Sequence, residues 1–448
     1  MKFALLLLLL LPTLASAKSW RAGLASVDIS PTEPIYLNGY GNRTHPSTGV
    51  KQQLWAKAIA LEDNKRQRVV IVTTDLLGIP GAVSDVIAAR VAKQHGLKRS
   101  QLMLNSSHTH AAPMVEGNLG TMFALTPTER LAIHNYTERL KDQIVNAVDR
   151  ALADLKPAQL ALGHGKATFA INRRVLSKDG TYIIGTNPNG PVDHDVPVLR
   201  ISSPDGKLLA ALFGYTCHNT TMGGDIYEVH GDYAGYAQLA FEKEHPGVQA
   251  MFYLLCGGDQ NPSPRGKFEL AEKYGNELAA AASAVIAGKM QPLTGPLRTA
   301  FRMTDLNLKL HSREQFEEEL KDKIPAKVRR AESMLSLYDQ QHPMRSVPYP
   351  VQAIRFGKQW TLVALGGEVV IDYQLRIKKE FPGEDTTVAG YSNDVMCYIP
   401  SLRVLKEGGY EADSSMIYYG KPGPFAESVE EQLMATVHKV MRDVGRNK

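Results

Sequence analysis

Short apolar runs alternate with longer amphipathic segments along this 448-residue chain, and no other feature constrains its fold as strongly. Residues 68–74 and 101–107 have the length of buried strands, whereas residues 83–95 and 128–155 have the length and spacing of helices. Such alternation is typical of mixed α/β architecture. Further strands are predicted at 54–61, 160–163, 196–201, 208–216, 248–255, 297–308, 353–356 and 361–365, further helices at 233–244, 268–287, 312–337 and 429–442, and a loop at 341–350.

The composition argues against a nucleic-acid-binding protein and against a fold stabilised by disulfide bonds. The chain is 44% hydrophobic and 22% charged, as expected of an ordinary globular protein. Its net charge of +5 is small for this length, which argues against nucleic acid as a partner. The three cysteines, Cys217, Cys256 and Cys397, are odd in number and too few for a disulfide framework, so we expect them to be buried as small apolar residues.

The first residues have the pattern of an export signal. Met1-Lys2 is positively charged, residues 3–11 are apolar, and Ala15-Ser16-Ala17 has the small residues of a cleavage site. We therefore predict a signal peptide at 1–17, a mature chain at 18–448 and a secreted or periplasmic location. Since no later stretch approaches the roughly 20 apolar residues that a membrane span requires, none is expected.

Histidines follow two of the predicted strands. His108-Thr109-His110 comes after the apolar run 102–107, and residues i and i+2 of an extended segment share a face. His218 follows the predicted strand 208–216 in the same way. Neutral imidazole is a common zinc ligand, so these positions suggest a metal site. Glu368, after the run 362–365, is a candidate third, anionic ligand, although a glutamate in this position, taken alone, is more often a carboxylate at a helix start.

Several motifs occur in a fixed order along the chain. They are Ser107-His108-Thr109-His110-Ala111-Ala112-Pro113, Ile171-Asn172-Arg173, His218-Asn219-Thr220-Thr221-Met222, Gly231-Asp232-Tyr233-Ala234-Gly235-Tyr236-Ala237, Cys256-Gly257-Gly258-Asp259 and Gly366-Gly367-Glu368. With these motifs the chain resembles, from about Gly23 to the C-terminus, the catalytic domain of neutral ceramidases. That resemblance implies an αββα layered core in a single large domain, one zinc ion, and hydrolysis of the amide bond of an N-acylated sphingoid base.

The resemblance also implies a set of zinc ligands. These are His108, His218, Glu368 and Tyr398, with His110 left free in the site for proton transfer. Tyr398 is chosen over Tyr391 because a second tyrosine of the family pattern then falls downstream, in Gly409-Tyr410-Glu411. Zinc bound there would activate a water molecule as the nucleophile.

Further residues are expected to contact the substrate. Arg173 and Tyr410 match family positions near the scissile amide, with Arg174 as the competing arginine. We also expect Asp259 and Asn261 to bind the substrate, the latter through its side-chain amide.

The chain departs from the family pattern in two ways. Asn261 stands where the family has a serine, and an amide cannot be that nucleophile; Ser263 would need a local rearrangement to replace it. The chain also stops soon after Tyr410, so we expect no immunoglobulin-like C-terminal domain.

The sequence thus predicts a secreted zinc hydrolase for a small-molecule or lipid substrate. Peripheral contact of the protein with a lipid surface is compatible with this prediction. The alternatives are a non-catalytic binding protein that kept the zinc fold, or a hydrolase of a polar glycan or peptide derivative.

Overall fold

The computed structural model describes residues 20–447, so the predicted signal peptide lies outside the described residues. The strands in that range are β1 Trp20–Asp28, β2 Gly49–Val50, β3 Trp55–Glu62, β4 Arg68–Thr74, β5 Leu102–Ser106, β6 Lys156–Lys166, β7 Ala170–Leu176, β8 Tyr182–Asn187, β9 Asp195–Ser202, β10 Leu208–Tyr215, β11 Glu228–Val229, β12 Gln249–Leu254, β13 Gln260–Pro262, β14 Gln291–Pro292, β15 Leu297–Asn307, β16 Ser346–Phe356, β17 Trp360–Leu365, β18 Glu368–Val369, β19 Asp385–Ala389 and β20 Tyr398–Ile399.

The helices have recognisable start signals. In the longest, Thr126 and Glu129 form a reciprocal capping box and Pro127 occupies the first helical position, where its missing N–H costs nothing. The helices are α1 Gly81–His95, α2 Pro127–Ala153, α3 Asp232–Glu244, α4 Phe268–Ala287, α5 Arg313–Glu319, α6 Pro325–Asp339, α7 Ile371–Glu380, α8 Leu402–Glu407 and α9 Val429–Asp443. Among residues 20–447, no helix combines the length and apolar character needed to cross a membrane.

Two sheets pack face to face between two layers of helices. The first has the strand order β12-β10-β9-β6-β1-β3-β4-β5, with β14 beside β6, and the second has the order β15-β16-β17-β19. Their facing sides share one apolar core that includes Ile59 and Leu212 from the first sheet and Phe356 and Leu362 from the second. Helices α1 to α4 cover the outer side of the first sheet, and α7 and α9 cover the second. This arrangement confirms the predicted αββα core.

The two end strands of the first sheet approach each other near the site. Asn105 in β5 accepts a hydrogen bond from Leu254 N in β12 at 2.9 Å, and its amide nitrogen donates to Gly390 O at 2.8 Å. Bridging pairs Asn105 with Ser392 and Leu255 with Ala389 place the segment after β19 between the two strands. The segments that follow β5, β12 and β19 therefore lie close together.

Two predicted elements are wrong in detail. Residues 312–337 form two helices rather than one, because Pro325 starts α6 and cannot continue a preceding helix. The predicted loop 341–350 is partly strand, since β16 begins at Ser346. Pro348 and Pro350 are tolerated there because this half of β16 pairs with β15 alone, as in an edge strand. The three cysteines are free and buried, as predicted.

Candidate active site

The predicted ligands lie where strands end. His108 follows β5 and has φ +62°, a left-handed conformation that costs a non-glycine residue about 1–3 kcal/mol and is typical of functional sites. His218 follows β10. Glu368 begins β18, which pairs in parallel with β20 so that Glu368 lies opposite Tyr398. Gly367 precedes Glu368 with φ +73°, and a Cβ on it would lie 2.7 Å from Cys397 O.

The side chains of these four residues converge on one buried point. Glu368 Oε2 lies 3.0 Å from His108 Nε2 and 2.9 Å from His218 Nε2. The Tyr398 hydroxyl lies 3.1 Å from His218 Nε2. Two ligand atoms of a tetrahedral zinc site, each about 2.0–2.1 Å from the metal, lie about 3.3 Å apart, so this spacing suits such an ion.

Both histidines are oriented by backbone carbonyls. His108 Nδ1 donates to Leu77 O and His218 Nδ1 donates to Gly257 O, each at 2.6 Å. Since a carbonyl can only accept, the hydrogen of each neutral ring lies on Nδ1 and the lone pair lies on Nε2. These nitrogen atoms approach one carboxylate oxygen, and a proton or a metal ion held between them relieves the repulsion of acceptors at this distance. A carbonyl on the far nitrogen is also the usual partner of a metal-bound histidine.

Burial sets the charge of the cluster. It lowers the pKa of His218 to about 4, helped by the charge of Arg173. Burial raises the pKa of Glu368, but its interactions with His108 and His218 outweigh burial and hold the pKa well below its usual range. At neutral pH the cluster thus offers a neutral His218 imidazole and an ionised Glu368 carboxylate, which is the donor chemistry of a divalent cation site.

His110 stands beside the cluster and faces a cavity. Its Nε2 lies 3.2 Å from His108 Nε2, and its buried Nδ1 has no hydrogen-bond partner among the described residues. Gly39 makes room for the ring, because a Cβ there would lie 2.4 Å from His110 Nδ1. Burial and the neighbouring His108 and His218 lower the pKa of His110 well below its usual value. Three histidines, His108, His110 and His218, could thus offer nitrogen atoms to one ion.

Arg173 reaches the site from β7 and is held there by Glu411. Its Nε donates to Glu411 Oε1 at 2.7 Å, and a terminal nitrogen donates to the Tyr398 hydroxyl at 2.9 Å. Arg174 points elsewhere: it pairs with Glu407 at 3.1 Å and with the second oxygen of Glu411 at 2.5 Å. The structure therefore places Arg173, and not Arg174, in the cavity wall.

Asn261 occupies the cavity wall and Ser263 does not. Asn261 Oδ1 accepts hydrogen bonds from Thr220 Oγ1 at 3.1 Å and Arg173 at 3.3 Å, which turns the amide nitrogen away from both donors. Ser263 is tied through its backbone to Phe169 O, at 3.0 Å. Position 261 thus presents an amide, and no hydroxyl, to the cavity.

Asp259 lies behind the site rather than in its wall. Its fully buried carboxylate accepts hydrogen bonds from the Asn172 amide at 3.0 Å and from Ile371 N at 2.9 Å, and burial raises its pKa to about 6. Its backbone oxygen accepts from Arg173 N at 2.9 Å. This geometry lets Asp259 position Arg173. Asp259 is not among the residues of the cavity wall, and its contact with substrate stays a prediction.

The cavity above the cluster has a volume of about 220 Å³; most of its lining residues carry a polar group, but apolar atoms supply the larger part of its surface. Met122 and Ile184 are its large aliphatic residues. Its wall consists of Gly39, Tyr40, Gly41, His110, Met122, Arg173, Ile184, Thr220, Asn261, Arg265, Tyr398, Tyr410 and Tyr418.

Two residues of the site were missed in the sequence. The Tyr419 hydroxyl donates to Glu368 Oε1, and Glu411 neutralises Arg173 and Arg174. A signal existed for Glu411, because buried arginines require a carboxylate and Glu411 directly follows Tyr410. No sequence pattern around Tyr419 identifies it as a residue of the site.

The layered fold and the donor cluster define an α/β protein with a buried histidine and carboxylate site at the ends of its strands. Residues 20–297 match the family described as neutral/alkaline non-lysosomal ceramidase, N-terminal. That match spans more than half of the chain, and the chain belongs to this family.

Individual relatives agree with the family. The neutral ceramidase of Pseudomonas aeruginosa is 27% identical over 322 residues, which cover 67% of this chain and 47% of that protein. The neutral ceramidase of Mycobacterium tuberculosis is 22% identical over 488 residues, covering 90% of this chain and 74% of that protein. The crystal structure of the Pseudomonas aeruginosa protein has the same fold, with a TM-score of 0.73 at 19% identity, covering 96% of this chain and 75% of that one. The sequence match thus spans about half of the Pseudomonas protein.

Proposed function

We propose that this protein is a secreted zinc-dependent hydrolase that cleaves the N-acyl amide bond of ceramide or a related amphiphile. Family membership supports the class of reaction. The observation that carries the proposal is the convergence of His108 Nε2, His218 Nε2 and Glu368 Oε2, with distances of 2.9 and 3.0 Å to the carboxylate oxygen.

The donor set fits zinc. Two imidazole nitrogens, a carboxylate oxygen and the Tyr398 oxygen give mixed nitrogen and oxygen ligation, which suits this ion. When bound, zinc would polarise an amide carbonyl and lower the pKa of a water molecule from about 15.7 to about 7. Tyr419 holds the outer oxygen of Glu368 and so fixes the carboxylate that faces the histidines.

The polar residues of the cavity wall have separate tasks. His110 has a buried, unpartnered Nδ1 and an Nε2 beside His108, so it is placed to hold or move a proton. Arg173 and Tyr410 can donate to an oxygen that gains charge, and burial raises the pKa of Tyr410, which keeps its hydroxyl protonated. Each such donor contributes about 3 kcal/mol of barrier lowering in comparable enzymes.

Asn261 shapes the expected mechanism. Its carbonyl oxygen is taken by Thr220 and Arg173, which leaves the amide nitrogen to donate to the substrate. Because an amide does not form an acyl-enzyme and Ser263 lies outside the wall, we propose direct attack by water without a covalent intermediate.

An exposed apolar hairpin supports an amphiphilic substrate. Strands β7 and β8 present Leu176, Ile183 and Ile184 with exposed fractions of 57%, 51% and 44%, and Ile184 also lines the cavity. Exposed apolar side chains beside a cavity are typical of lipid or ligand contact. We expect this hairpin to contact the acyl chain or a lipid surface.

The proposal is tested by assaying the zinc-loaded protein on a short-chain ceramide in detergent micelles. We expect fatty acid and sphingoid base in equal amounts, loss of turnover with chelator, recovery with zinc, and no acyl-enzyme in rapid quenching followed by mass spectrometry. Zinc-loaded wild type that cleaves neither ceramide nor simpler N-acyl amines would contradict it and favour a binding protein.

A further inference from the structure

The cavity wall contains two arginines but no carboxylate, and one of the arginines has no acidic partner. Arg265 is exposed, and its guanidinium donates one hydrogen bond, to Thr220 O at 3.4 Å. Within residues 20–447 no aspartate or glutamate pairs with it. Arg173, by contrast, is neutralised by Glu411 at 2.7 Å.

The backbone on both sides of Arg265 is anchored. Pro264 O accepts a hydrogen bond from the Tyr274 hydroxyl at 2.6 Å, and Gly266 N donates to Thr221 O at 2.6 Å. The second bond ties the segment to the loop that carries His218. The loop that carries the proposed ligand His218 thus also holds the backbone of Arg265 at the cavity. An arginine on a free surface would lack such anchoring.

A third arginine, Arg43, adds positive charge beneath the wall. Arg43 is 3% exposed and donates to backbone oxygens, including His110 O at 2.7 Å, while its Nε has no partner among the described residues. No carboxylate neutralises it through a hydrogen bond or ion pair in residues 20–447. Its guanidinium lies 5.3 Å from the ring of Tyr40, which lines the cavity. Arg265 and Arg43 therefore both place positive charge without a paired carboxylate beside the cavity wall, which favours the approach of an anion.

We propose that Arg265 selects N-acyl substrates that carry an anionic group: a carboxylate, a sulfonate or a phosphate. The inference rests on the proposed amide hydrolysis and narrows its substrate class. A guanidinium presents a planar fork of donors that matches such oxyanions, and charge-assisted bonds of this kind are stronger than bonds to neutral hydroxyls. In this arrangement Ile184 and the hairpin contact the acyl chain while Arg265 binds the anion.

The test uses four amides that share one acyl chain. N-octanoylglycine, N-octanoyltaurine and N-octanoylphosphoethanolamine carry the three anions, and N-octanoylethanolamine is the neutral reference. For zinc-loaded wild type we expect kcat/KM to be about tenfold or more higher for at least one anionic member than for the neutral one, as one charge-assisted contact allows. The ranking of the three identifies the preferred anion.

Variants at two positions distinguish recognition of the anion by Arg265 from a general effect of positive charge near the cavity. Arg265→Gln should lower kcat/KM for the preferred anion by about 10- to 100-fold and change the neutral amide by less than about threefold. Arg265→Lys should restore part of the preference. Lys267→Gln removes a nearby exposed charge outside the cavity wall and should leave the ratio unchanged.

Binding gives a readout that needs no turnover. Titration calorimetry of N-octanoyltaurine and N-octanoylethanolamine should show the same dependence on Arg265. Equal kcat/KM values for charged and neutral amides in wild type, or an equal loss for both in Arg265→Gln, would overturn the inference and leave the proposed hydrolysis standing. Charge-selective, Arg265-dependent binding without cleavage of any amide or of ceramide would instead overturn the proposed hydrolysis and keep the recognition.

Discussion

Two clusters of histidine and carboxylate in this molecule have opposite electrostatic outcomes. In the site, His218 Nδ1 donates to the carbonyl of Gly257, and burial lowers its pKa to about 4. At the edge of the sheets, His164 bonds Asp195 at 2.9 Å and Asp385 at 2.6 Å through its two nitrogens. Burial lowers the pKa of His164, but the two carboxylates outweigh burial and raise it to about 10.

Burial, helped by the charge of Arg173, lowers the pKa of His218 despite its contact with Glu368, whereas two carboxylates outweigh the burial of His164. A carbonyl fixes the hydrogen on one nitrogen of His218 and leaves a lone pair on the other, which is the form a metal binds. Two carboxylates favour hydrogen on both nitrogens of His164, which is the form of a salt bridge. The same residue types therefore give a neutral imidazole, the form that a metal binds, in one place and a cation in the other.

The largest effect is expected when a buried carboxylate loses its charge. Glu411→Gln leaves Arg173 and Arg174 without full neutralisation in a buried environment, and breaking such a pair costs about 3–5 kcal/mol. Asp385→Asn in the partly exposed cluster should cost no more than about 1 kcal/mol. Urea unfolding of both variants measures this contrast. Equal costs would show that burial does not separate the two clusters.

The next largest effect, on turnover, is expected at His110. It lies beside the proposed ligands, but its Nδ1 makes no hydrogen bond to a backbone carbonyl among the described residues. His110→Ala should lower kcat by about 100-fold or more, the range of a lost proton-transfer residue, while zinc content stays unchanged. His134→Ala, at an exposed histidine, is the control and should keep wild-type kcat. Loss of zinc in His110→Ala would make His110 a ligand.

A smaller effect should follow pH at His164. Because its pKa is raised in the folded state, its contribution to stability is complete below the usual histidine value of about 6.5 and is lost as pH rises through about 10. The side chain is 36% exposed, so we expect about 1 kcal/mol at most. The unfolding free energies of wild type and His164→Gln should differ at pH 6 and converge near pH 11. A constant difference would contradict the raised pKa.

The smallest effect is expected at Ser263. Its backbone is tied to Phe169 and its side chain lies outside the cavity wall, so Ser263→Ala should change kcat/KM by less than about twofold. Asn261→Ala, within the wall, is the matched comparison and should lose more. A trapped acyl group on Ser263 that disappears in Ser263→Ala would contradict attack by water.

The sequence was most informative where motifs follow strands. His108, His218 and Glu368 follow apolar runs, and the family resemblance grouped them as ligands; the structure then shows that the ends of those strands meet. The hairpin of β7 and β8 was missed because its strands lack a continuous apolar run and present Leu176 and Ile183 to the surface. Tyr419 is close to Glu368 through the tertiary fold alone, and no local pattern identifies it.

Zinc analysis of three purified proteins tests the central claim most directly. Wild type and His164→Ala should each retain about one zinc ion per chain after dialysis, whereas His218→Ala should retain almost none while its circular dichroism spectrum remains that of the folded protein. A folded His218→Ala variant with full zinc content, or a wild type that binds no zinc, would contradict the assignment of the buried cluster as the metal site.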